Sequence, residues 1–145
     1  MKRAIIILLL IILLGFVYFL TQNSLYEGSA TISFENGVEV ETEVVRSRED
    51  QKLGLSGRAE LGEMKGMLFF YENPRSQYFW MKDMRFSIDI IWLSEGKIVG
   101  ISRDVPAPAT PESPLPTYGS PSPVELVLEV NAGFSETYSL EEGMN

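Results

Sequence analysis

Cysteine and histidine are both absent from the 145 residues. Without cysteine the chain has no disulfide, no thiolate nucleophile, no cysteine metal ligand and no N-terminal cysteine for a lipid. Without histidine it lacks the commonest general base and the commonest transition-metal ligand. No cofactor or metal is therefore expected. Positive charge is also scarce: 12 Lys and Arg stand against 20 Asp and Glu, and two of the 12, Lys2 and Arg3, lie at the very start. Beyond residue 20 the balance is 10 against 20, a net charge of −10. A domain of that sign repels nucleic acid and anionic headgroups, so no nucleic-acid partner is expected. Apolar residues are plentiful. At 45% of the chain they suffice for a core and exclude wholesale disorder.

Ala4 to Leu20 is an unbroken apolar run, AIIILLLIILLGFVYFL. As a helix it would extend ~25 Å, close to the hydrocarbon thickness of a bilayer. Lys2 and Arg3 before it predict a cytoplasmic N-terminus and an exported body. Residues 1–20 thus read as a single transmembrane anchor, with the lipid bilayer as partner through residues 4–20. The alternative is a secretory signal, after whose cleavage the domain would be secreted. A small-x-small cleavage site does not follow the run; Thr21, Gln22 and Asn23 do. Residues 21–29 form a polar tether and residues 30–145 one domain of ordinary size.

That domain centres on Lys65 to Leu93, which holds both tryptophans. Ahead of it, two period-2 stretches flank Asn36-Gly37 and predict a hairpin, with Glu39, Glu41 and Glu43 on one solvated edge face rather than around a cation. Ser47 followed by Asp50 predicts a short helix over Arg48 to Leu53, stopped by Gly54 and anchored by Leu53 and Leu55. Residues 66–71 are apolar on both faces and predict a doubly buried strand. Glu72 to Arg75 reads as a turn, and Ser76 to Met84, Ile88 to Leu93 and Ile98 to Arg103 as three further strands. Short connections between these four predict antiparallel pairing. Seven of the eight prolines lie between Pro106 and Pro123, so that segment is extended loop, covering one end of a barrel. Val124 to Val130 alternates as a strand, and Phe134 to Leu140 predicts a helical turn.

KGMLFF, YFWMKDM, SIDIIWL with EGKIVGI, and LVLEVNAGF, in this order and spacing, resemble the bacterial and archaeal family called domain of unknown function 192. The resemblance runs from about Gly37 to Gly143. Gly54-Leu55 with Arg58 is similar to that family's Gly-Leu-Met-x-Arg element, with Ser56 in place of methionine. FWMKDM is similar to its Phe-Trp-Met-Lys-Asn-Thr, with Asp83 and Met84 in the last two places. The family's cysteine near Pro108 is missing. The resemblance implies an all-β domain, a jelly-roll-like sandwich or barrel, mostly antiparallel, with one or two short helices. It implies no activity.

Asp89 is the odd residue of its strand, sharing a face with Ile91 and Leu93. A carboxylate there needs a hydrogen-bonding or ionic partner, and Lys82, Arg85 and Arg103 are the candidates. Trp80, Lys82 and Asp83 form a second cluster, suited to hold a sugar or peptide. The expected ligand-binding set is therefore Trp80, Lys82, Asp83, Asp89 and Arg103, with no catalytic residue. Met67, Met81 and Met84 sit among aromatic and aliphatic neighbours and read as core rather than as soft-metal ligands. The functional expectation is a non-catalytic, extracytoplasmic domain binding an envelope polysaccharide or protein. One alternative is a carboxylate-dependent enzyme acting on glycans through Asp83 and Asp89; the other is a purely structural or accessory partner.

Overall fold

The computed structural model describes residues 28–145. The expected anchor over 4–20 and all but the last two residues of the tether lie outside the described residues. Among the described residues no helix is long and apolar enough to cross a membrane.

Among the described residues eight strands and two short helices follow one another: β1 (Gly28–Ser33), β2 (Glu39–Val45), α1 (Arg48–Leu53), β3 (Lys65–Arg75), β4 (Tyr78–Phe79), β5 (Ile88–Ser94), β6 (Lys97–Val105), β7 (Tyr118–Gly119), β8 (Val124–Asn131) and α2 (Phe134–Thr137). Six strands make one open sheet in the order β1-β2-β3-β8-β5-β6, and β4 pairs with β7 in a separate two-stranded piece. The expected barrel or jelly roll is not what forms: the described sheet has two free ends and is mixed. β2 and β3 run parallel, with Val44 opposite Leu68, while the other pairs are antiparallel.

The hairpin expected around Asn36-Gly37 is β1–β2, with Ile32 opposite Val40. Gly37 takes φ +85°, and the Phe34 and Val38 backbones close the loop. Val40, Thr42 and Val44 point inward and the three glutamates outward. Their strand is internal rather than an edge, because β3 covers its far side. Glu43 takes both Arg58 nitrogens, one at 2.7 Å, and this pairing holds its carboxyl below the usual range. Glu41 pairs with Lys65. Helix α1 starts and stops as expected: Ser47 Oγ accepts from the Asp50 N–H at 3.0 Å, and Gly54 ends it at φ +51°. Only half of its expected anchoring occurs. Leu55 is buried, whereas Leu53 stays 62% exposed.

Two further expectations fail between residues 72 and 84. Residues 72–75 are not a turn but the end of β3, which resumes pairing with β8 at Arg75 after an irregularity beyond Phe70. The strand expected over Ser76 to Met84 shrinks to Tyr78–Phe79. Met81 to Met84 turns instead, with Asp83 at φ +56° and the Met84 N–H on the Met81 carbonyl. By contrast β5–β6 is the expected hairpin. Its two-residue loop, Glu95-Gly96, has positive φ at both positions, the combination that matches strand twist.

Strand β8 lies between β3 and β5 and joins the two halves of the sheet. Both faces are covered. On one, Val40, Leu68, Ile91, Leu93, Leu128 and Val130 pack with Phe134 and Leu140. On the other, Met67, Phe69, Ile90, Trp92 and Val127 pack with Leu55, Met81 and Met84. The three expected core methionines are all buried in this second cluster. The proline-rich segment crosses back here. β7 pairs with β4, and Pro121 occupies the space a Cβ on Gly100 would need, at 2.8 Å.

Candidate functional site

Asp89 is fully buried, on the same face as Ile91 and Leu93 as expected. Its partners are not Lys82, Arg85 or Arg103. Oδ1 accepts from the backbone N–H groups of Asp104 (2.9 Å) and Gly133 (3.2 Å), and Oδ2 from that of Ser135 (2.9 Å). Three amide donors satisfy a carboxylate without importing a second desolvated charge. Positive φ at Asp104 (+50°) and Gly133 (+78°) accompanies these bonds. Asp89 therefore ties the end of β6 to the start of α2. Arg103 instead donates to the Leu140 carbonyl at 2.9 Å. With no exposed surface, Asp89 cannot form a carboxylate pair with Asp83 across a cleft.

Trp80, Lys82 and Asp83 do come together. They line one cleft of about 240 Å³ with Glu49, Leu53 and Ser56. Trp80 is 50% exposed, and Lys82 Nζ stands 5.9 Å from its ring centroid. Two bonds fix this turn to the segment after α1: Ser56 Oγ donates to the Lys82 carbonyl at 2.8 Å, and the Gly57 N–H to the Asp83 carbonyl at 2.8 Å.

Trp80 also forms one wall of a neighbouring cleft of about 230 Å³, together with Phe69, Tyr71, Tyr78 and Phe79. Phe79 is held edge-on between Phe69 (4.8 Å, 86°) and Trp92 (5.6 Å, 76°), so the wall is rigid. Glu129 belongs to the same lining. It lies on β8 opposite Met67 on one side and Ile90 on the other, and is 6% exposed. Its Oε2 has no hydrogen-bond partner. Burial alone pushes its carboxyl up to about 8, so the group is mostly a neutral acid at pH 7. Tyr71 is pushed up to about 12, chiefly by burial.

Glu129 is the residue that sequence reading missed. The alternation of β8 sets Glu125, Val127 and Glu129 on one face, to which the sequence reading assigned no role. The available signal was Val127 between the two glutamates, since a solvated face rarely carries valine in the middle of a core strand.

A model of the family described as uncharacterized ACR, domain of unknown function 192, matches residues 31–145. The chain belongs to that family. The DUF192 domain of this chain is similar to a crystal structure of a protein of unknown function from Novosphingobium aromaticivorans DSM 12444. They share 24% identity over 82% of this chain and 83% of the other, with a TM-score of 0.71. It is also similar to a structure from Sinorhizobium meliloti 1021 described as a proposed transcription regulator, at 22% identity, 82% and 92% coverage and a TM-score of 0.73. Both likenesses show a shared fold alone. No curated protein matches the chain significantly.

Proposed function

We propose that this DUF192 domain is an outward-facing, membrane-tethered binding module. It holds a stretch of an envelope polysaccharide against Trp80 and in the adjoining aromatic cleft. The observation that carries this reading is Glu129: a buried carboxyl whose Oε2 has no hydrogen-bond partner, lining a cleft walled by four aromatic rings and a half-exposed tryptophan. Buried polar groups are almost always satisfied within the protein. One left unmet at an aromatic-walled cleft suits a ligand that brings its own hydroxyls and stacks its ring faces. As a neutral acid, Glu129 donates a hydrogen bond to an uncharged acceptor. Among the described residues it is the one acidic side chain in that lining, which favours binding over two-carboxylate glycoside hydrolysis.

A glycan array probed with the full chain tests this. Saccharide binding is expected, and Trp80→Ala should weaken it about tenfold at unchanged melting temperature. Undiminished binding by that folded variant would remove the platform. Leu53, 62% exposed and lining both clefts with Trp80, favours a second reading in which the same face docks a protein. In that case the array stays blank and Leu53→Asp abolishes capture of the partner.

A further inference from the structure

Gln51 and Tyr71 line the aromatic cleft and also a second groove, of about 280 Å³. Three arginines meet in this groove: Arg46, Arg48 and Arg75. The topology brings them there. β2 and β3 are parallel and end on the same side. The residue after β2, the first residue of α1 and the last of β3 therefore converge.

Two of the guanidinium groups lie over aromatic rings. Arg46 Cζ is 4.2 Å from the Phe70 centroid and Arg75 Cζ 5.5 Å from that of Tyr71. Stacking of this kind fixes the plane of a guanidinium and leaves its N–H edge free for a bidentate acceptor. All three arginines are exposed, and among the described residues none is in an ion pair with a carboxylate. In a chain with 20 acids for 12 bases, carboxylate partners are abundant; Arg58 and Lys65 each have one. Three arginines gathered without them, with Glu72 as the sole acid in the groove lining, leave a local excess of positive charge.

We propose that this groove is the anion subsite of the polysaccharide site. It takes the carboxylate or phosphate substituents of an acidic polysaccharide whose sugar rings stack in the adjoining aromatic cleft. The inference rests on the function proposed above and adds the chemical class of the ligand. Planar guanidinium groups match both kinds of oxyanion. The −10 charge of the domain repels an acidic chain at longer range, so recognition is local and depends on ring contacts as well as on the three arginines.

Calorimetric titration of the detergent-solubilised full chain with four probes tests it: oligogalacturonate, a glycerol-phosphate oligomer, maltoheptaose and oligouridylate. At least one of the first two should bind about tenfold more tightly than maltoheptaose, and added salt should shrink the difference. Arg46→Gln with Arg75→Gln should abolish that preference. Should the double variant fold poorly, Arg48→Gln, which stacks on no ring, should still cost about fivefold. The inference is overturned if maltoheptaose binds equally well, if neither anionic saccharide binds at millimolar concentration, or if the folded arginine variants keep the preference. Tightest binding by oligouridylate would make the groove a nucleic-acid site and overturn it too. Loss on Trp80→Ala but not on the arginine variants sinks the anion subsite and leaves the polysaccharide reading standing. Loss on the arginine variants but not on Trp80→Ala sinks that reading, and the inference with it.

Discussion

Two buried acidic side chains sit on neighbouring strands, and they differ in their hydrogen-bond partners. Asp89 receives three backbone N–H groups. Replacing one oxygen by an amide sets donor against donor, so Asp89→Asn should cost about 2–4 kcal/mol, read as a lower urea midpoint at constant slope. Glu129 receives no such help, and its pKa rises from 4.5 to about 8. Between those values the folded chain keeps a proton that the unfolded chain has lost. The contribution of Glu129 to stability is therefore greatest below about pH 4.5, falls as the pH rises to about 8, and levels off above, by on the order of a few kcal/mol in all. Glu129→Gln should flatten this slope in urea melts from pH 5 to 8. An equal slope in both proteins would place the proton elsewhere. Asp89 was legible as an anomaly, because a carboxylate interrupts an apolar run. Its partners were not, because the donors lie 15 to 46 residues away and belong to the backbone. Trp80, Lys82 and Asp83 were legible as a cluster because they are neighbours in sequence.

Elements whose signal is local came through, and those decided by distant pairing did not. The β1–β2 and β5–β6 hairpins and α1 each carry their own turn or cap chemistry. The strand expected over Ser76 to Met84 has the right residue types, but among the described residues its sheet partner is the two-residue β7 alone, so pairing stops after Phe79. The parallel β2–β3 pair carries no local signal, and the antiparallel expectation concerned the four strands between residues 66 and 103, which have short connections. Between β2 and β3, α1 and the loop after it carry the chain across instead. Close packing at that pair makes a prediction. A Cβ on Gly66 would stand 2.9 Å from the Glu129 carbonyl oxygen, 2.9 Å from Leu128 Cδ1 and 3.1 Å from Val40 Cγ1. Gly66→Ala should therefore lower stability by about 1–3 kcal/mol in a thermal melt. The backbone carbonyl leaves it little room to relax.

At the scale of the whole molecule, an open sheet must protect its outer strands. The C-terminal segment does so beside β6: Ile98 N–H donates to the Met144 carbonyl at 2.9 Å and Gly143 N–H to the Ile98 carbonyl at 2.8 Å. Met144 packs on the Phe134 and Leu140 cluster. Removing residues 141–145 should lower the urea midpoint and raise light scattering on warming, since both backbone bonds and that contact are lost. The overall class, mostly strand with two short helices, was legible from alternation and turn residues. The closure of the sheet was not, because a barrel and an open sheet share the same period-2 pattern and differ only in whether the first and last strands meet.

Strand β8 has a bearing on how the protein is made. Among the described residues it is the only link between the ribbon β1-β2-β3 and the ribbon β5-β6, and it is the last of their strands in chain order. A nascent chain that has emerged only as far as residue 123 holds two separate ribbons, each with an apolar flank open to water. Assembly of the sheet waits for residues 124–131, so any factor that shelters unfinished chains acts on this domain until β8 has emerged.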